Sequence, residues 1–312
     1  MKSTLRKTAA TIRSSPPGYP RDGADLHVHT THSDGACSPC EVVVAAARVG
    51  LKALAITDHD TVSALAVARP EAARWGIELV AGVELTCEYD GREYHILGHF
   101  IRDDDPALLK GMASLRAGRA QRIEAMAARL HSLGLSIDLD AICRVFPRAS
   151  LGRRHLADYL ARTRQVGSTR EAFARFLGDG CPACVDKPRL DSGLAIALIK
   201  GAGGVAALAH PPHDLREAIL RRIADQGLHA IEVDGPGFSN GKSRRLRFWA
   251  DQLGLVGIAG SDFHAADRPG RWVGAITTPP KDLERLRTLS RTCLVDHVPL
   301  NPPTVGSIKS VR

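Results

Sequence analysis

Within residues 25–35 the chain carries five groups that could bind a metal ion or move a proton: Asp25, His27, His29, His32 and Asp34. His27 and His29 are two apart, so on an extended strand their imidazoles leave the same face. Two neutral imidazoles aimed at one point make a metal-binding pair. The pair alone fits equally well one buried, hydrogen-bonded histidine beside an exposed one. The rest of the chain separates these readings. Acidic or histidine residues recur at or just past the carboxyl ends of separate expected strands: His59, Glu84, His210, Asp234 and Asp262. Asp262 and His264 repeat the spacing of His27 and His29. In a parallel sheet or barrel those ends share one face, where ligands and reacting groups collect. Imidazoles and carboxylates without a cysteine pair suit Zn, Mn, Fe or Ni better than Ca. The candidates outnumber the ligands of one tetrahedral ion, so they point to two or three ions.

The elements that must position these residues follow from apolar runs and turn signals. Strands are expected at 24–29, 51–57, 77–81, 93–100, 204–209, 230–233 and 255–259. Ser38 before Pro39 reads as a helix N-cap with proline at the first helical position, and that helix ends at Gly50. A second helix stops at Gly76. Strands alternating with helices predict a parallel α/β architecture. From about residue 103 to 189 the pattern is helical, with stretches near 108–133, 140–146, 151–162 and 169–177 and no convincing strand. The simplest account is one α/β domain over 23–102 and 190–300, interrupted by a helical insertion over 103–189. Residues 1–22 read as a disordered basic tail and 301–312 as a C-terminal tail.

Composition narrows the class. The chain has 312 residues, of which 44% are hydrophobic and 24% charged, as in an ordinary globular protein. No apolar run is long enough to span a bilayer. The seven cysteines lack the pattern of a small secreted protein, which points to a reducing cytoplasm. A net charge of +8 favours anionic partners such as phosphate esters or nucleic acid.

Seven segments taken jointly resemble the ordered motifs of the PHP (polymerase and histidinol phosphatase) family, across residues 24–264. They are His27-Val28-His29, Ser33-Asp34-Gly35, Thr57-Asp58-His59-Asp60, Gly82-Val83-Glu84, Tyr94-His95-Ile96-Leu97-Gly98, Ala209-His210-Pro211 and Gly260-Ser261-Asp262-Phe263-His264. The helical insertion resembles that of the branch containing nucleoside 3′,5′-bisphosphate phosphatases, also described as 5′-to-3′ exoribonucleases of short RNA. The resemblance implies a distorted (β/α)7 TIM-like barrel with a trinuclear metal centre. It implies that His27, His29, Glu84 and Asp262 hold one ion, that Glu84 bridges to a second held with His95 and His210, and that Asp34, His59 and His264 hold a third.

Glu84, Asp262 and His210 would form the catalytic set, and a hydroxide bridging two ions would attack phosphorus. Two to three divalent ions are expected, with Mn2+ the first choice and Zn2+ or Fe2+ the alternatives. The implied substrate is a small phosphorylated nucleotide, a nucleoside 3′,5′-bisphosphate, with trimming of short RNA as an extension and no membrane partner. The family branch is expected to place an Arg or His of the insertion, and a Lys near its return, at the substrate phosphate. Arg153, Arg154, His155 and Lys187 are the candidates, since guanidinium groups grip phosphate through paired hydrogen bonds. Histidinol-phosphate phosphatase shares the same ligands and is the alternative. A non-catalytic nucleic-acid-binding or scaffold domain is the alternative of another class.

Other signals are read as structural. Arg116, Arg119 and Arg122 share a helix face and are taken as solvated, as is the basic run from Lys242 to Arg247. Cys37-x-x-Cys40 and Cys181-x-x-Cys184 are too far apart for a zinc finger. His99, four residues after His95, is held as a support for the ligands.

Overall fold

Short runs of Ala, Val, Leu and Ile build the sheet. The strands are β1 (Ala24–Asp25), β2 (Ala53–Ile56), β3 (Glu78–Tyr89), β4 (Arg92–His99), β5 (Leu190–Asp191), β6 (Val205–Leu208), β7 (Ala230–Asp234) and β8 (Val256–Ala259). The computed structural model describes residues 23–145, 151–186, 189–266 and 272–295. The sheet order is β1-β2-β3-β4-β6-β7-β8, with β5 pairing beside β3. After β1 and β8 the chain pairs again, Val28 with Phe263, so the seven-strand path nearly closes into a barrel. Strand 24–29 is therefore split: two residues pair with β2, and the following residues reach across to Phe263.

β2 is buried throughout, which suits a strand covered on both faces. Its small residues Ala53 and Ala55 join Leu26, Ala207, Ala230 and Ile258 in the barrel interior, which Leu283 and Leu286 of α10 (Pro280–Val295) close. Its larger residues Leu54 and Ile56 face outward, onto Val42, Val43 and Ala46 of α1 (Pro39–Val49) and Leu65 and Ala68 of α2 (Ser63–Trp75). The α1 start is a capping box: Ser38 accepts from the Glu41 N–H, and the Glu41 side chain returns to the Ser38 N–H.

The expectation of an all-parallel sheet fails at one strand. β4 runs antiparallel to both β3 and β6. A two-residue turn, Asp90-Gly91, joins β3 to β4 with φ of 53° and 73°. Positive φ at both positions is the hairpin geometry that Asp-Gly favours. β3 also runs on to Tyr89, so Glu84 sits inside a strand rather than past its end.

Between β4 and β5 lie α3 (Pro106–Ser132), α4 (Leu139–Val145), α5 (Arg153–Arg162), α6 (Thr169–Ala172) and a π-helical turn at Phe173–Leu177. α3 serves two cores. Leu108, Met112 and Leu115 pack with the barrel, while Ile123, Met126 and Leu130 pack with Leu156 and Leu160 of α5. The middle of α3, with Arg116, Arg119 and Arg122, thus spans the junction. The remaining helices are α7 (Ser192–Gly201), α8 (Glu217–Ala224) and α9 (Asn240–Gln252).

Candidate metal centre

The cross-pairing of Val28 with Phe263 lays the His27-Val28-His29 segment beside Asp262 and His264; the His29 N–H donates to the Phe263 carbonyl at 2.9 Å. Glycine permits this approach. A Cβ on Gly35 would lie 2.6 Å from the His29 carbonyl, and one on Gly260 would overlap the His27 side chain. Asp58 pins the turn bearing Asp34. It accepts from the N–H and Oγ1 of Thr30, both at 2.7 Å, and from Ser33 Oγ at 2.5 Å. Asp25 accepts the N–H groups of Ser261 at 2.9 Å and Gly274 at 2.7 Å. His32 is buried against Ser63 Oγ at 2.7 Å. His210 and Asp262, just beyond β6 and β8, have φ of 22° and 45°. Such strained backbone concentrates at functional sites.

Nine side chains meet at this mouth: His27, His29, Asp34, His59, Glu84, His95, His210, Asp262 and His264. His27 Nε2 and His29 Nε2 are 3.1 Å apart. Glu84 Oε2 lies 3.4 Å and 3.2 Å from them, and Asp262 Oδ1 is 3.4 Å from each. Four donors about 2.1 Å from one ion stand about 3.4 Å apart at the corners of a tetrahedron, so this group has the size of an ion site. The other Glu84 oxygen faces a different pair. Oε1 is 2.8 Å from His95 Nδ1 and 2.9 Å from His210 Nε2, and the two imidazole nitrogens are 3.2 Å apart. A third group is looser: Asp34 Oδ1 is 3.3 Å from His264 Nε2, and Asp34 Oδ2 is 3.9 Å from His59 Nε2. His59 Nδ1 also approaches Glu84 Oε2 at 3.1 Å. Both of these buried atoms lack a hydrogen-bond partner among the described residues, as metal donors do.

The electrostatics are those of a cation site. Burial would lower His27, but the carboxylates of Glu232, Glu84 and Asp262 hold it well above the ordinary histidine range. His29 is raised to about 10, with burial opposed by Asp262 and Glu84. Burial would raise Glu84, yet the imidazoles of His59, His95 and His27 hold it well below the usual carboxylate range. Asp34 is likewise held down by His59 and His264 against burial. His59 goes the other way, pushed well down by burial. Donors of this kind give up protons to take an ion, so metal uptake and proton release are coupled.

Sequence reasoning missed Glu232 and favoured Asp234. Glu232 is buried on β7 and accepts a hydrogen bond from the His27 ring Nδ1–H at 3.0 Å and from the His210 backbone N–H. Asp234 is turned away, accepting from Gly235 N–H and Ser243 Oγ. The residues are two apart, but a β-bulge between them breaks the alternation. A lone glutamate inside the apolar run Ala230–Val233 was the available signal.

The basic residues divide. Arg119 and Arg122, expected in solvent, are 8% and 7% exposed, because α3 lies over the barrel mouth. Arg119 pairs with buried Asp60, whose φ is 54°, and reaches Thr86 Oγ1 at 3.3 Å. Arg116 donates to the Asp60 carbonyl at 2.6 Å. Arg122 Nε donates to the Val185 carbonyl at 2.6 Å, and burial together with the Arg153 guanidinium lowers its pKa. Arg153 donates to Asp179 at 2.5 Å; Arg154 is exposed. His155 is buried and its Nδ1 accepts the Gly152 N–H at 3.0 Å; burial lowers it and Asp34 opposes. Lys187 lies outside the described residues. His99 supports backbone rather than an imidazole: its Nε2–H donates to the Leu26 carbonyl at 2.8 Å. Lys242 is buried, contrary to the solvated-face expectation.

A barrel of this topology with such a cluster defines a metal-dependent phosphoesterase of the PHP type, and the chain belongs to the PHP-domain family. The family profile matches residues 25–137. A 3′,5′-nucleoside bisphosphate phosphatase of Chromobacterium violaceum is 36% identical over 256 residues, covering 80% of this chain and 90% of that protein. A 5′-3′ exoribonuclease of Haemophilus influenzae is 33% identical over 245 residues, covering 77% and 89%. Among solved structures, a candidate metal-dependent phosphoesterase from Bifidobacterium adolescentis superposes with a TM-score of 0.80 at 28% identity, over 87% of this chain and 98% of that one. No described helix is long and apolar enough to cross a membrane.

Proposed function

We propose that the protein hydrolyses phosphate from a nucleoside 3′,5′-bisphosphate and trims short RNA from the 5′ end, using two to three divalent ions. Mn2+ is the first choice, and Zn2+ or Fe2+ would suit the same donors. His27, His29, Glu84 and Asp262 would hold one ion; Glu84, His95 and His210 a second; Asp34, His59 and His264 a third. The observation that carries this reading is Glu84, whose two oxygens face two separate sets of imidazoles at 2.8–3.4 Å. Such ions, when bound, acidify water and neutralise phosphate oxygens as charge develops.

The chain's own groups do the rest. Glu232 orients His27 through its Nδ1 and fixes the His210 backbone. Asp58 holds the Asp34 turn. Arg153, Arg154, His155 and Lys187, with Arg122 beside Arg153, would grip the substrate phosphates from the insertion, whose residues 103–189 would act as a cover over the mouth. The names of the relatives support the substrate class, and the reading places the enzyme in the cytoplasm.

A phosphate-release screen of Mn2+-loaded protein tests this, with nucleoside 3′,5′-bisphosphates, mononucleotides, histidinol phosphate and a short 5′-phosphorylated RNA. Fastest release from the bisphosphate is expected. Turnover of histidinol phosphate alone, or of nothing, would overturn it.

A further inference from the structure

The segment after β7 holds a cation that the proposed function does not use. In sheet order β7 lies between β6 and β8. Those neighbours are followed by His210 and by Asp262 and His264, so the β7 loop opens at the same mouth. The loop is tightly built. Asp234 accepts the Gly235 N–H at 3.0 Å, the Phe238 N–H donates to the Gly235 carbonyl at 3.1 Å, and Ser239 caps α9 by accepting the Lys242 N–H at 3.2 Å. The Phe238 ring lies over Gly235, where a Cβ would come within 3.2 Å of it. The Lys242 side chain folds back onto that ring, with its ammonium 3.4 Å from the centroid.

Lys242 is 9% exposed, yet its ammonium has no hydrogen bond or ion pair among the described residues. The acids of β7 are committed elsewhere: Glu232 to His27 and His210, and Asp234 to Gly235, Ser243 and Arg247. Most of the side chain is covered while the ammonium itself still reaches solvent, so it is open to an anion entering the mouth. The aromatic face holds the ammonium in position. Burial lowers the Lys242 pKa, with Glu232 opposing and Arg245 adding to the fall.

We infer that Phe238 and Lys242 form a phosphate-binding subsite at the barrel mouth, taking the phosphate group of the substrate that is not hydrolysed. This rests on the reading of the metal centre as a phosphoesterase site. The ligand chemistry is a phosphate oxygen, supplied either by the second phosphomonoester of a nucleoside bisphosphate or by the next phosphodiester of a short RNA.

The test compares the Mn2+-loaded parent with Lys242→Met and Lys242→Arg. Three substrates are used: a nucleoside 3′,5′-bisphosphate, a 5′-phosphorylated dinucleotide, and 4-nitrophenyl phosphate, which has no second phosphate. A lost charged hydrogen bond should raise KM about ten- to hundredfold for K242M. The rise is expected on the bisphosphate, the dinucleotide or both, and which of them responds identifies the source. kcat should stay within about twofold, 4-nitrophenyl phosphate should be unaffected, and K242R should retain most of the affinity. Equal losses on all three substrates, or no change on any, would overturn the subsite. A second readout does not depend on turnover: the Tm increase given by inorganic phosphate to metal-free protein should be smaller in K242M than in the parent. If the parent hydrolyses none of the substrates, the phosphoesterase reading fails, while the phosphate-induced Tm difference still decides the subsite.

Discussion

Replacing Glu232 by Gln separates an orienting carboxylate from a mere core residue. Glu232 is 2% exposed and meets two of the proposed ligand residues: the His27 ring Nδ1–H at 3.0 Å and the His210 backbone N–H. Both contacts need an acceptor. Gln offers one oxygen and one NH2, so one ligand loses its partner or faces a donor. Loss of such an outer contact typically costs ten- to a hundredfold in metal affinity, about 1.4–2.7 kcal/mol. A second effect opposes it. The Glu232 charge is the largest influence holding His27 above the ordinary range, so E232Q releases the His27 proton more readily. Proton competition with the metal then weakens, most at low pH. The deficit of E232Q relative to the parent should therefore be smallest at the lowest pH and grow as pH rises. Competition titration of Mn2+ against a fluorescent chelator on metal-stripped protein, at three pH values, measures this. An E232Q affinity within twofold of the parent at pH 9 would refute the reasoning.

Two further perturbations follow from the same geometry. Arg119→Met should destabilise the fold by about 3–5 kcal/mol in denaturant unfolding, because it leaves the buried Asp60 carboxylate unpaired. The D60N/R119M double variant should recover a large part of that, and a double variant no better than R119M would contradict the pairing. His99 is lowered from 6.5 to about 4, chiefly by burial, and its buried Nδ1 has no hydrogen-bond partner among the described residues. Between those values the unfolded chain binds the proton and the fold does not. His99 thus contributes about 3 kcal/mol at neutral pH that is lost as pH falls from about 6.5 towards 4. Asp25, raised to about 6 by burial, acts in the opposite sense, so the His99 share is read by comparison: H99Q should show a flatter loss of stability over that range. An unchanged slope would refute it.

The candidate donors that the fold brings together were legible because metal chemistry restricts residue types. Imidazoles and carboxylates at strand ends, with the two-residue spacings of His27/His29 and Asp262/His264, have few other uses. The barrel strands were legible from apolar runs, and the helix ends at Gly50 and Gly76 from glycines with φ of 84° and 64°. What was not legible depends on contacts distant in sequence or on small breaks in regularity. Asp90-Gly91 is a hairpin signal that the apolar rhythm overshadowed, and it reverses β4. One bulge exchanges the places of Glu232 and Asp234. Arg119 looks like a solvated charge because Asp60, which it pairs with, is 59 residues away. Lys242 looks like one because a Phe four residues earlier does not by itself show that the lysine folds back onto its ring.

The central claim is that Glu84 joins two ion sites. Elemental analysis of Mn2+-reconstituted protein, parent against Glu84→Ala, tests it most directly, with circular dichroism to establish that the variant is folded. The parent should carry two to three equivalents, and the folded variant at most one, held by Asp34, His59 and His264, with phosphate release abolished. A folded Glu84→Ala protein that retains the parental metal content and activity would contradict the account.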